Sequence, residues 1–188
     1  MGMKSLRLIS AIVALACLAA GCRDKKRPAV EITDMDRHFM ATAIDTASRS
    51  AANGGGPFGA VVVKDGRIVA VAANSVTRDY DPTAHAEINA IREACRMLGT
   101  YDLSGCVIYA SCEPCPMCLG AIYWAHIDRV FYGGTRKDAA EAGFNDDFIY
   151  DEMNAPTEGR TIPTIPMMRD ESLEPFRLWS SNESKKEY

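Results

Sequence analysis

The sequence predicts an α/β fold. Three observations carry this. Short apolar runs of β-branched residues recur along the chain, at 59–63, 67–72, 107–110 and 129–133. Helix-period segments at 35–51 and 85–98 alternate with them. A histidine and two cysteines then fall where helices begin, next to those runs, at His85, Cys115 and Cys118.

Taken in order, the chain opens with a segment that does not belong to the fold. Lys4 and Arg7 precede an apolar stretch from 8 to 20 broken only by Ser10. That stretch is too short to span a bilayer as a helix and fits the apolar region of a signal peptide. It runs into Leu18-Ala19-Ala20-Gly21-Cys22 and then five charged residues. Small residues before a cysteine resemble a bacterial lipobox, with Ala19 where leucine is preferred. The layout predicts a lipoprotein signal at 1–21, lipidation of Cys22, a tether at 22–33 and a domain at 34–188. Membrane contact is then expected only through the lipidated Cys22, placing the protein outside the cytoplasm as an anchored lipoprotein. The competing expectation is a cytoplasmic protein starting at Met35 or Met40.

Asp34 offers a helix cap, and Met35, Phe39, Met40, Ala43, Ile44, Ala47 and Ala51 follow at helical spacing to about Asn53. Gly54-Gly55-Gly56-Pro57 stops that helix. It is no phosphate loop, because neither a helix nor Gly-Lys-Ser/Thr follows. The run 59–63 and its return at 67–72 flank Asp65-Gly66, a two-residue hairpin signal. Residues 74–82 read as a loop. Thr83 or Asp81 can cap a second helix bearing His85, Glu87, Ile88, Ile91, Ala94 and Leu98, which puts His85 in its first turn. The strand at 107–110 delivers Cys112-Glu113-Pro114, and a third helix begins near Cys115, with Cys118 one turn on. A fourth strand occupies 129–133. Residues 138–150 mix polar and aromatic side chains, 161–167 reads as extended and irregular around Pro163 and Pro166, and a last short helix starts at Glu174-Pro175-Phe176. No repeat and no second domain are evident.

His85 and Cys115 are thirty positions apart, with Cys118 closing Pro114-Cys115-Pro116-Met117-Cys118. One imidazole and two thiolates suit Zn²⁺. A structural zinc knot takes four protein ligands, whereas three leave one position for water, as in catalytic sites. Glu87, two residues from the histidine, can handle protons without binding the metal. His-x-Glu with Pro-Cys-x-x-Cys is the pattern of zinc nucleobase deaminases. His38 and His126 are not expected to be ligands, and Tyr123 and Trp124 suit either core or dimer interface as well as a site wall. The remaining Cys95, Cys106 and Cys112 do not make a disulfide framework and read as small buried hydrophobes. With a formal net charge of −4 and a pI near 5.4, the chain lacks the basic balance of a polyanion binder, so no nucleic-acid partner is expected.

From about residue 34 to the end the sequence resembles the cytidine-deaminase-like zinc deaminases, and within them the bacterial guanine deaminase branch. Gly56-Pro57-Phe58-Gly59-Ala60, Asp81-Pro82-Thr83-Ala84-His85-Ala86-Glu87 and Ser111-Cys112-Glu113-Pro114-Cys115-Pro116-Met117-Cys118 carry the wider likeness. Gly120-Ala121-Ile122-Tyr123-Trp124-Ala125, the segment 138–150 and the terminal Lys185-Lys186-Glu187-Tyr188 carry the narrower one. Asn145, where aspartate is expected, and the leader depart from the pattern.

The resemblance implies a three-layer α/β/α fold around a mixed sheet of about five strands. It implies hydrolysis of guanine to xanthine and ammonia by zinc-bound hydroxide attacking C2, with Glu87 as proton shuttle. It further implies that Asp146 bonds the base and helps move protons, that Asn74 hydrogen-bonds the purine, that Phe58 packs on its face and that Ala60 offers a backbone group. In such enzymes a homodimer exchanges C-terminal tails, and the final tyrosine, here Tyr188, closes the partner's pocket. Three alternatives remain. A tRNA-specific adenosine deaminase shares the zinc motif but needs a basic, stacking surface. Another small aminated heterocycle could be the substrate. A tethered, non-catalytic zinc- or purine-binding protein would have no use for Glu87.

Overall fold

The structure is a computed structural model, and it describes residues 31–187. The leader, Cys22 with most of the tether, and Tyr188 lie outside the described residues. From Ile32 onward the described chain forms one compact unit.

Helix α1 (Asp34–Ala52) is fastened at its start by Thr33, not by Asp34 as expected. Thr33 Oγ1 accepts the Asp36 N–H at 3.1 Å, while Asp36 Oδ2 accepts the Thr33 N–H at 2.8 Å, a reciprocal capping box. Asp36 also accepts from Tyr109 Oη at 2.5 Å, which pins the start of α1 to the sheet. These hydrogen bonds, led by that of the Thr33 side chain, hold the Asp36 carboxyl below its usual range.

The hairpin forms as its sequence predicts. β1 (Gly59–Lys64) and β2 (Arg67–Ala73) pair antiparallel through Asp65 and Gly66, both at positive φ (50° and 71°). β3 (Cys106–Cys112) pairs antiparallel with β1, and β4 (Arg129–Gly134) runs parallel to β3. The sheet is mixed, in the order β2-β1-β3-β4. It has four strands among the described residues where about five were expected. After β4 the chain enters two short helices, α5 (Arg136–Glu141) and α6 (Asp147–Asn154), instead of adding a strand.

β1 is buried on both faces, which is why it reads as a continuous apolar run and not as an alternation. Val61 and Val63 pack with Phe39, Ala43 and Tyr109 on the α1 side. Ala60 and Val62 pack on the other side with Ile108 and with residues of α3 (Ala86–Leu98) and α4 (Pro116–Trp124). The result is three layers, helix on sheet on helix. Gly59 lets α1 approach the sheet backbone to backbone. A Cβ there would overlap the Ala43 carbonyl oxygen and sit 2.8 Å from the Ala47 nitrogen.

Within the expected 74–82 loop lies a single helical turn, α2 (Val76–Asp79). The chain closes on α7 (Glu174–Ser181), after an irregular stretch around Pro163 and Pro166. Tyr123 and Trp124 face outward at the end of α4 and belong to no core. Among the described residues no helix is long and apolar enough to cross a membrane.

Candidate active site

β2 and β3 lie on either side of β1, and both run antiparallel to it, so they are parallel to each other. The chain leaving β2 reaches α3 by way of α2, and the chain leaving β3 enters α4, both on the same face. The starts of α3 and α4 therefore meet at one edge of the sheet, outside the carboxyl ends of the strands.

Each start is capped by a metal-type residue in extended conformation, His85 (φ −68°, ψ 157°) for α3 and Cys115 (φ −63°, ψ 168°) for α4. An N-cap side chain ordinarily turns back onto the helix amides. Neither of these does, so each side chain is free to face the other. His85 thus stands at the cap position and not in the first turn, and neither Thr83 nor Asp81 caps α3. Asp81 instead accepts the Thr83 N–H and hydroxyl, both at 2.7 Å, and so shapes the turn before the histidine.

Cys118, one turn into α4, completes a triangle. His85 Nδ1 lies 3.5 Å from Cys115 Sγ and 3.6 Å from Cys118 Sγ. The ligand atoms of His85, Cys115 and Cys118 could hold a metal ion, all lying within 4.8 Å of one another. Zinc bonds of about 2.3 Å to sulfur and 2.05 Å to nitrogen at a tetrahedral angle require an N···S separation of about 3.6 Å. The donor set and its spacing therefore fit tetrahedral zinc with Nδ1 of His85 as the nitrogen ligand.

Electrostatics at the triangle favour a cation. The Cys115 thiol is drawn down to about 4, chiefly by its hydrogen bond with Cys118 and also by that with His85. Cys118 moves the opposite way, through the same hydrogen bond and its burial. His85 is raised, first by its contact with Cys115. Glu87, only 7% exposed, accepts from Cys118 Sγ at 3.5 Å. Desolvation is the main cause raising its carboxyl above the usual range.

His85, Cys115 and Glu87 border a cavity of about 650 Å³, the size of a small-molecule site. Phe58, Asn74 and Asp146 line the same cavity. Phe58 meets Phe144 edge to face, with centroids 4.9 Å apart. Asn74 Oδ1 accepts the Val76 N–H at 3.2 Å, which leaves its Nδ2 donors for the cavity. The carboxamide rests on Gly56, where a Cβ would come within 2.9 Å of it. Asp146 stands at the N-cap of α6, and burial is the main cause raising its carboxyl.

Ala60 is fully buried in β1, in register with Ala72 and Ala110, and does not line the cavity. His126 lies beside Asp102 and not at the triangle, and His38 packs on Phe39.

Sequence reasoning gave no role to Arg136, which lines the cavity, stacks over Tyr150 at 4.8 Å and lies 3.4 Å from Asp147. An arginine just past a strand end is ordinary in sequence, and only the fold of α5 and α6 brings it here.

A family model described as the cytidine and deoxycytidylate deaminase zinc-binding region matches residues 33–134. Guanine deaminase from Bacillus subtilis is 55% identical over 151 residues, which are 80% of this chain and 97% of that enzyme. Its crystal structure superposes with a TM-score of 0.79 at 54% identity, covering 81% of this chain and 98% of the other. A tRNA-specific adenosine deaminase from Aquifex aeolicus is 44% identical, over 53% of this chain and 66% of its own length. The Bacillus match overturns one expectation. With 97% of that enzyme matched, it has no room for a counterpart of residues 1–21, and the membrane-anchored, extracytoplasmic placement expected from the leader is corrected. Matched over more than half its length by the family model and over four-fifths by a relative at 55% identity, the chain belongs to the cytidine and deoxycytidylate deaminase zinc-binding family.

Proposed function

We propose that the protein is a zinc-dependent guanine deaminase, hydrolysing guanine to xanthine and ammonia. The observation that carries this is a buried carboxylate, Glu87, in contact with the His85–Cys115–Cys118 triangle at the wall of a purine-sized cavity. The extended similarity to the Bacillus guanine deaminase supports the choice of base. When bound, zinc supplies Lewis acidity that makes water a nucleophile near neutral pH. Glu87 takes a proton from the attacking water and passes it to ring nitrogen N3 while the oxygen adds at C2. Glu87 then takes the proton of the new C2 hydroxyl and delivers it to the amino nitrogen as the C2–N bond breaks, so ammonia departs and a carbonyl is left at C2.

Asn74 presents its Nδ2 donors to an acceptor on the purine, Phe58 supports the ring face, and Asp146 accepts from a ring N–H and assists proton transfer.

The reading extends to a homodimer with exchanged tails. Tyr101 Oη donates to the Glu187 carbonyl at 2.7 Å, beyond the carboxyl end of α3. With 13 residues, α3 is about 20 Å long and His85 stands at its other end. Glu187 is thus held at the end of α3 away from its own His85, which supports a tail that closes a partner's cavity. Ile162, Ile165 and Met167 leave an apolar surface for such a partner, each more than three-quarters exposed.

The test is ammonia release by zinc-loaded protein from guanine, adenine, cytosine, guanosine and a tRNA anticodon stem-loop. Guanine is expected to be the substrate. Turnover of the stem-loop with guanine untouched points to the adenosine deaminase reading, and zinc binding without turnover of any of them points to a binding protein. Removing Tyr188 is expected to cut guanine turnover about ten- to a hundredfold, the cost of one unmade buried contact, with zinc retained. Mixing that variant with Glu87→Gln subunits should restore part of the activity, and absence of rescue in a confirmed mixed dimer would reject the exchange.

A further inference from the structure

We propose that Asn89 is a positioning residue that sets the substrate-facing carboxamide of Asn74 and the metal ligand His85 in fixed relation. Asn89 is half-buried on α3, one turn after His85. Its Nδ2 donates to the Ala73 carbonyl at 3.0 Å, to Ser75 Oγ at 2.9 Å and to the Ala84 carbonyl at 3.3 Å. Two of these acceptors belong to the residues on either side of Asn74. The third belongs to the residue before His85. The Asn89 backbone N–H meanwhile bonds the His85 carbonyl at 2.9 Å. One side chain therefore fastens the end of β2, the start of α2 and the entry to α3 at a single point. Ser75 N–H closes the arrangement by bonding the same Ala84 carbonyl at 2.9 Å, and Ser75 is itself buried.

Asn74 has few anchors of its own. Its N–H bonds the Phe58 carbonyl at 3.0 Å and its Oδ1 accepts from Val76. Where its Nδ2 donors point is set by the backbone of residues 73–76, and Asn89 holds that backbone from beneath. Without a donor at position 89, the Ala73 and Ala84 carbonyls and the Ser75 hydroxyl lose a part-buried partner together, and the loop can turn away from α3. Misplacement by a fraction of an ångström at Asn74 weakens substrate contact, whereas His85, Cys115, Cys118 and Glu87 keep their own attachments. Asn89 touches neither substrate nor metal, so its effect should pass through Asn74.

This inference rests on the deaminase reading for its kinetic arm only. Asn89→Asp is isosteric and removes the donors, and Asn89→Leu removes polarity at similar size. In zinc-loaded full-length protein, either is expected to raise KM for guanine about tenfold or more while kcat changes by less than about threefold. Zinc content should stay as in the unaltered protein. Amide exchange at Asn74, Ser75 and Val76 should speed up about tenfold or more, with β3 amides unchanged. In an Asn74→Ala background, Asn89→Leu should add little further to KM. If neither Asn89 variant folds, Ser75→Ala, which removes one of the three acceptors, should show the same split at smaller size.

Unchanged KM with unchanged exchange at 74–76 would overturn the proposal. So would an effect that multiplies in the Asn74→Ala background, or one that falls on zinc content and on all amides alike. If the unaltered protein leaves guanine untouched, the deaminase reading fails, and the exchange measurement still decides whether Asn89 holds the loop.

Discussion

Glu87→Gln is the substitution that most directly tests the chemistry. The side chain is 7% exposed and its neighbour at the carboxylate is Cys118 Sγ, 3.5 Å away. Glutamine has the same shape, so the packing around it and the three metal-type donors are kept. Its amide can still accept from Cys118, but it cannot take a proton from water and return it. Positioned general acid–base groups contribute about 10²–10⁴-fold, or about 2.7–5.4 kcal/mol of barrier. The upper end is expected because in the proposed mechanism one group serves both the attack at C2 and the departure of ammonia. The assay is guanine turnover by the zinc-loaded variant, with metal content measured on the same sample. A variant that keeps its zinc and turns over within about tenfold of the unaltered protein would refute the assignment of Glu87 as proton shuttle, since less than the smallest expected contribution would have been lost.

Further outcomes follow from the same geometry. Cys115→Ala should abolish zinc retention on gel filtration together with activity, because it removes a cap-position donor that His85 and Cys118 cannot replace. Gly59→Ala should destabilise the fold by about 1–3 kcal/mol, since the new methyl meets the α1 backbone and no side chain can yield; a melting temperature equal to the unaltered protein's would contradict the close approach. Tyr109→Phe should cost about 1.5 kcal/mol in urea unfolding at neutral pH, the lower range for a hydrogen bond to a charged group because Asp36 stays partly solvated. As the Asp36 pKa is lowered in the folded state, its contribution is present above the unfolded carboxylate value and is lost as pH falls through the folded one. The difference between Tyr109→Phe and the unaltered protein should therefore shrink in acid.

Much of this was legible in the sequence because β1 is built from a run that suits a strand buried on both faces, and because the Asp65-Gly66 turn demands positive φ. The metal donors were legible for a different reason, since their spacing places them at two helix starts that a βα arrangement brings together. Helix caps were not. Asp81, Thr83 and Asp34 are all good capping residues, yet Asp81 is committed to its own turn and Thr33 wins through a reciprocal bond with Asp36. α2 is one turn held by its surroundings, with no capping side chain and no periodicity long enough to read. For Ala60 a position within a motif does not say which way a backbone group faces, and in the fold it lies inside β1 between Ala72 and Ala110. Arg136 was invisible because its place at the cavity depends on two short helices after the last strand.

The position of the metal donors also bears on how much protein survives when zinc is scarce. His85 and Cys115, thirty positions apart, cap different helices, and the chain between them includes all of α3 and β3. An ion gripped at both caps closes a loop of that length. For a covalent link the restricted unfolded chain would be worth about 3.6 kcal/mol, and a tightly held ion that ignores the unfolded chain acts in the same direction. This is a large part of the margin of an ordinary domain. Metal starvation is therefore expected to lower cellular abundance as well as specific activity, because the apo chain loses a clasp across its own topology and opens more often to proteolysis.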